Sequence, residues 1–262
     1  MGFCKDPSLT SLNKFGYNVV RLPRTGIEPM MVLGKRQSLE LLGKLSTVWK
    51  TTVPEPIPGP PATVADLEGS QSDKLELSIG LKILANALQG LGAAVPSLEF
   101  GFTRARKVQF TYSKVSSTSI APLEAGSYLA SGDLLPNPLV APYFLGEDGH
   151  AFLTIDVLKS DTVIVEASDE HGVDVALDIP AMQGAVGAKI GVKSSNASNS
   201  KISFKGEKAI TFGFKAFAIA FDHGKWTLKG SKSSQDMAFG FDEDDQELTG
   251  GVLFTTTGMV NL

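Results

Sequence analysis

The chain has 262 residues, 42% hydrophobic and 20% charged, with a formal net charge of −4. That composition suits one large globular domain or two small ones, and it offers nucleic acid no general electrostatic attraction. It contains no run of 18 uncharged apolar residues and no secretory leader, so a soluble product made in the cytosol is expected.

A single cysteine excludes an internal disulfide, and His150, His171 and His223 lack metal-ligand spacing. No nucleophile elbow, phosphate-cradling loop or metal motif surrounds the serines, histidines and aspartates, which argues against an enzyme. The cysteine stands at position 4, in Met1-Gly-Phe-Cys-Lys-Asp-Pro-Ser-Leu9. A thiol so close to a terminus is poorly placed for a core but well placed for acylation, since an acyl chain there can reach a groove or a bilayer. Gly2 invites myristoylation, but Asp6 occupies the position where that signal wants serine or threonine. Cys4 is the better acylation candidate.

From there, Val19-Val20-Arg21-Leu22 predicts a short strand. Ser38 can cap a helix running to Trp49, because Leu39, Leu42, Leu45 and Trp49 have helical spacing. Residues 53–69 carry five prolines and predict a loop. A helix over about 72–91 follows, with Leu77, Leu81, Leu84, Leu88 and Leu91 as its stripe and Gly90 and Gly92 at its end. Residues 97–115 alternate as a bent strand or two strands, with Leu98, Phe100, Phe102, Val108, Phe110 and Tyr112 on one face, which Arg104 and Arg106 interrupt. Residues 120–149 are turn-rich and read as mostly irregular. Leu153, Ile155 and Val157 start another strand, and Val163 to Val165 extend it.

The longest signal lies between Val173 and Phe221. Bulky residues recur at every second position through Val173–Ile179, Ala185–Lys193, Lys201–Lys205 and Ile210–Lys215, with a turn at Ser194–Ser200. Period two predicts strands, here a hairpin with long arms. The phase slips between Ala216 and Phe217, where a bulge fits. A hairpin with one lysine-rich face and one apolar face can lie on a soluble core. Equally, arms of about 9–11 residues suit the wall of a membrane barrel around an aqueous lumen. Periodicity does not separate the two.

The C-terminus places an acidic run, Asp242-Glu-Asp-Asp-Gln-Glu247, before an apolar β-prone segment, Val252–Leu262. One reading is an edge strand behind a solvated loop. The other is a detachable tail that covers an apolar surface until a protease cuts the accessible linker.

The N-terminal Met1–Leu9 with its Cys4, the following Phe15-Gly-Tyr17, the two amphipathic β regions and the short tail together resemble the bacterial gasdermins. The resemblance implies an α+β pore-forming domain with a twisted central antiparallel sheet flanked by helices. Residues 1–239 would form that domain, 240–251 an acidic protease-accessible linker and 252–262 an autoinhibitory peptide. It further implies palmitate on Cys4, with no other cofactor, and cleavage by a caspase-like or other protease. Linker composition places the cut between Gly240 and Gly251, with Asp245, Gln246, Glu247 and Leu248 as the candidate region. The monomer would then leave the cytoplasm for phospholipids of the inner membrane, form a large ring oligomer and kill the cell as antiphage defence. Lys189, Lys193 and Lys201 would line the pore lumen. The alternative is a non-toxic lipid-binding or structural β protein.

Overall fold

The computed structural model describes residues 12, 16–36, 39–67, 71–72, 74–94, 98–229 and 259–260. Its strands in chain order are β1 (Asn18–Arg24), β2 (Met31–Lys35), β3 (Leu39–Lys44), β4 (Trp49–Lys50), β5 (Ala62–Thr63), β6 (Leu75–Glu76), β7 (Lys107–Ser113) and β8 (Ser116–Ser119). They continue with β9 (Asp133–Leu134), β10 (His150–Ser168), β11 (Gly191–Ser194), β12 (Lys201–Asp222), β13 (Lys225–Lys229) and β14 (Met259–Val260). The helices are α1 (Leu77–Leu91), α2 (Pro122–Ala130), α3 (Ala141–Leu145) and α4 (Ile179–Val186).

Twelve strands form one sheet, whose main path runs β14-β1-β12-β10-β2-β3. Every ladder in it is antiparallel except that between β1 and β14. The spine is β10 beside β12, 19 and 22 residues long, against a usual strand of about 5–6 residues. Their ladder starts at Ala151 opposite Ile219 and ends at Glu166 opposite Lys201. Its register shifts three times, the first time between Thr154 and Asp156, opposite Ala216 and Lys215. The phase slip read at Ala216 thus coincides with a bulge, contributed by Ile155 on the facing strand.

Along its first half the spine is buried on both faces. Ala151, Leu153 and Ile155 pack with Trp49, Tyr128 and Trp226, while Phe152 and Val157 turn to Val20, Ile27, Leu33 and Phe214. Along the second half one face alone is covered: Val163, Val165, Ile202 and Phe204 lie with Val108 and Phe110 under Ile83, Leu84, Ala87, Leu88 and Leu91 of α1. That helix ends at Gly92, whose φ of 107° lets its N–H reach the carbonyls of Leu88 and Gln89.

Several elements differ from the sequence expectation. No helix runs from Leu39 to Trp49; Leu39–Lys44 is a strand, followed by a 3-10 turn at Leu45–Thr47. The ladder with β2 shifts so that Leu41 faces Leu33 and Gly43 faces Val32, leaving Leu42 as the bulged residue. A bulge places leucines on both sides of the strand and imitates helical spacing. Helix α1 begins at Leu77, because Leu75 and Glu76 pair with β7. Within 97–115, Glu99–Phe102 is a 3-10 turn and the strand starts only at Lys107. The region read as irregular holds α2 and α3, each with proline in its first turn, where the missing N–H costs nothing. Finally, Val173–Asp178 makes a single bridge, Asp174 to Ser168, and Ile179–Val186 is the helix α4. Asp178 caps it, accepting from the Ala181 N–H at 3.0 Å, and Met182 and Val186 bury themselves in the core beneath α1.

Candidate functional site

The half-covered end of the sheet is built by β7, the last third of β10, β11 and the start of β12. Cross-strand registers fix which side chains share a face: Ser113 opposite Thr162, Thr162 opposite Lys205, Lys205 opposite Gly191, and Ser203 opposite Lys193. Side chains so aligned point the same way. One face is therefore apolar and lies under α1, and the other presents Gln109, Glu166, Lys193, Lys201, Ser203 and Lys205.

Two glycines set how closely α1 lies on the apolar face. A Cβ at Gly80 would come within 2.0 Å of Val108 Cγ2, and one at Gly90 within 2.6 Å of Ile210 Cγ2. No side chain fits in those gaps, so α1 is seated directly on β7 and β12.

On the polar face Lys189 and Lys193 line one cleft, together with Lys205 and Lys114. Lys201 stands apart and pairs with Glu166 at 3.3 Å. Lys189 is exposed in the turn before β11, not on a strand, and its neighbour Ile190 is fully buried.

The covered half is tied by part-buried polar contacts. Tyr17 donates to Asp156 Oδ2 at 2.5 Å and Ser117 donates to Asp156 Oδ1 at 2.5 Å, while Lys215 Nζ lies 4.3 Å from the centroid of the Tyr17 ring. Burial, reinforced by the hydrogen bond to Asp156 and its charge, pushes the Tyr17 hydroxyl well above the ordinary tyrosine range. Lys159 pairs with Glu28 at 2.5 Å, which ties the β1–β2 connection to the spine. Trp226 Nε1 donates to Asp133 at 2.8 Å; that bond, with the Leu134 N–H, holds the Asp133 carboxyl below its usual range. Apart from Ser117–Asp156, 39 residues apart, these ties join residues more than ninety positions apart, and no local pattern in the sequence announces them.

The third component is an edge. Met259 pairs with Val19 and Val260 with Val20, so the C-terminal segment is a parallel strand on the outside of β1. Cys4 and the cleavage region Asp245, Gln246, Glu247 and Leu248 lie outside the described residues. Among the described residues no cluster of three or more His, Cys, Asp or Glu could hold a metal. No described helix is long and apolar enough to cross a membrane, which leaves crossing by strands untouched.

A large antiparallel sheet with helices against it, its longest strand pair amphipathic at one end, defines an α+β protein. The Bacterial Gasdermin Family model matches residues 20–227. The gasdermin bGSDM of Vitiosangium sp. (strain GDMCC 1.1324) is 38% identical over 239 residues, 88% of each chain. That of Lysobacter enzymogenes is 31% identical over 228 residues, 85% of this chain and 83% of its own. The solved structure of a bacterial gasdermin from Bradyrhizobium tropiciagri shares the fold, with a TM-score of 0.62 at 17% identity, covering 85% of this chain and 90% of that one. The chain belongs to the bacterial gasdermins, a pore-forming family.

Proposed function

We propose that the described form is the resting state of a pore-former restrained by its own tail. The observation that carries this reading is the pairing of Met259 and Val260 with the outer edge of β1, which otherwise would offer open backbone groups to another strand. On this reading residues 252–262 are the inhibitor and 240–251 the linker that a caspase-like or other protease cuts, in the region Asp245–Leu248. Tail loss frees the edge, and the half-covered end of the sheet leaves α1. The strands lengthen into hairpins, insert in the inner membrane and pair with those of neighbouring copies. Ring closure satisfies the backbone groups that hydrocarbon leaves no other way to satisfy. Palmitate on Cys4 assists, since one acyl chain alone gives only marginal attachment. Lys189, Lys193 and Lys201 then face the lumen, and the permeabilised cell dies, which limits phage spread.

Dye leakage from liposomes tests the reading. Chains truncated after Asp245 or Leu248 are expected to release dye, and the full-length chain to retain it. Soluble truncated protein that leaves vesicles intact would instead support a non-toxic lipid-binding or structural β protein. For Cys4, an intact-mass loss of one palmitoyl group on hydroxylamine treatment is expected. A free thiol in protein from a host that makes the acyl donor would count against it.

A further inference from the structure

The polar face of the half-covered sheet carries a cleft of about 510 Å³, lined by Lys114, Lys189, Lys193 and Lys205 around a floor of Ser113, Thr162, Ser203 and Gly191. Glu207 is the only carboxylate in its lining. A site with four ammonium groups and one carboxylate is unusual on a chain whose net charge is −4.

The arrangement is fixed by the backbone. Gly191, Lys205, Thr162 and Ser113 form one row across four adjacent strands. Lys193 faces Ser203 one step along, which makes Lys193 and Lys205 diagonal neighbours roughly 7–8 Å apart at the backbone. Lys114 follows Ser113 at the β7–β8 turn with φ of 54°, in the left-handed region. Like charges so placed repel.

The same face shows how such a charge is neutralised when no ligand is needed: Lys201, one row further along, pairs with Glu166. Among the described residues none of the four cleft lysines has an ion pair. The floor adds hydroxyl donors. Ser113 and Ser203 hydroxyls bond no described residue, whereas that of Thr162 is already donated to Asp161. A Cβ at Gly191 would meet only the Lys205 carbonyl, at 3.8 Å, so the floor has room there.

We propose that this cleft binds a phosphate group. A monovalent carboxylate would leave most of the local excess of positive charge in place. A phosphate carries about −1.5 to −2 at neutral pH and three acceptor oxygens, which suits several lysines and two hydroxyls at once. The bound group would bridge the β7–β8 turn, β10, β11 and β12, and so hold together the strands that the proposed insertion must separate from their packing. The phosphate comes either free in solution or as the phosphomonoester headgroup of a lipid.

The experiment uses the intact chain, uncut, so the pore reading does not enter it. Thermal unfolding is followed in inorganic phosphate and in sodium chloride at matched ionic strength. At about tenfold excess over the dissociation constant, phosphate should raise Tm by about 3–6 °C. The pair Lys193→Gln with Lys205→Gln should lose most of that shift, Lys189→Gln part of it, and Lys225→Gln, on β13 outside the cleft, none. Without phosphate the double variant should unfold no earlier than wild type, because repulsion has been removed. Cosedimentation with phosphatidylcholine vesicles, with and without phosphatidic acid, whose headgroup is a phosphomonoester, separates the sources. Lysine-dependent binding to the phosphatidic acid vesicles, displaced by phosphate, assigns the group to lipid. Stabilisation by phosphate without vesicle binding assigns it to a free phosphate. A phosphate shift equal in all variants, or neither a shift nor lysine-dependent vesicle binding, overturns the site.

Discussion

The two halves of the β10–β12 pair are the same ladder in different surroundings. From His150 to Ser160 the strand β10 is buried almost continuously, because aromatic and aliphatic residues cover both of its faces. Beyond Asp161 the core residues Val163, Val165 and Ala167, on the face under α1, alternate with Thr162, Ile164, Glu166 and Ser168 on the other. A ladder buried on both sides cannot leave its place without exposing two cores. One buried on a single side needs only to lose a helix. The first half is the body of the protein, and the second half is the part that the proposed function asks to move.

Substitutions on opposite faces of neighbouring positions test this contrast most strongly. Phe152→Ala and Leu153→Ala point to opposite cores, and each should cost about 2–5 kcal/mol in urea unfolding. In the outer half only one of two neighbours should matter: Val165→Ala should destabilise measurably, and Glu166→Ala should stay within about 1 kcal/mol. If Glu166→Ala proves as costly as Val165→Ala, the outer half is not one-sided.

The next largest effect addresses the cover. Gly80→Ala places a methyl group where Val108 already stands, so α1 must shift from β7 at a cost of about 1–3 kcal/mol. Hydrogen exchange should then quicken in β7 and the end of β10 while the β10–β2 ladder keeps its protection. Uniform acceleration would mean the two halves open together.

Tyr17→Phe probes the tie in the body and should cost about 1–2 kcal/mol. Its pH dependence has a definite sign. The folded chain holds the Tyr17 proton more tightly than the unfolded chain, so this contribution is complete below about pH 10 and fades as pH rises above it. Urea midpoints between pH 8 and 11 should fall more steeply for wild type than for the variant.

The smallest effect on stability carries the sharpest functional reading. Lys193→Glu, exposed in the outer half, should change stability by no more than about 0.5 kcal/mol, yet shift the cation-to-anion preference of the formed pore. Planar-bilayer conductance under a salt gradient reads it. Unchanged selectivity would remove Lys193 from the lumen.

What the sequence made legible follows from which signals are local. The alternation of Ile202, Phe204, Ile210, Phe212 and Phe214 marked β12, and the leucine stripe with Gly92 marked α1, because periodicity and a cap are written in neighbouring residues. Strand β3 was misread because the bulge at Leu42 mixes two faces in six residues. Helix α4 was misread because Ile179, Met182 and Val186 are diluted by alanine and glycine, which suit either period. The lysine cleft assembles from four strands, so Lys189 and Lys193 could be named from sequence as polar-face residues, but not their meeting with Lys114 and Lys205. The Tyr17–Asp156 tie depends on pairing across the sheet and has no local signature.

Among the described residues, the pairing of β14 with β1 involves two residues of each strand. The strand is attached to the rest of the chain through residues 230–258. Attachment gives a segment an effective local concentration on the order of millimolar. A cut in the linker alters no contact between Met259 and Val19, but it replaces that local concentration with the bulk one. For a protein present at micromolar levels, occupancy of the edge then weakens by a factor of about a thousand. Dilution, with no rearrangement at the cut itself, is enough to shift the balance toward an open edge.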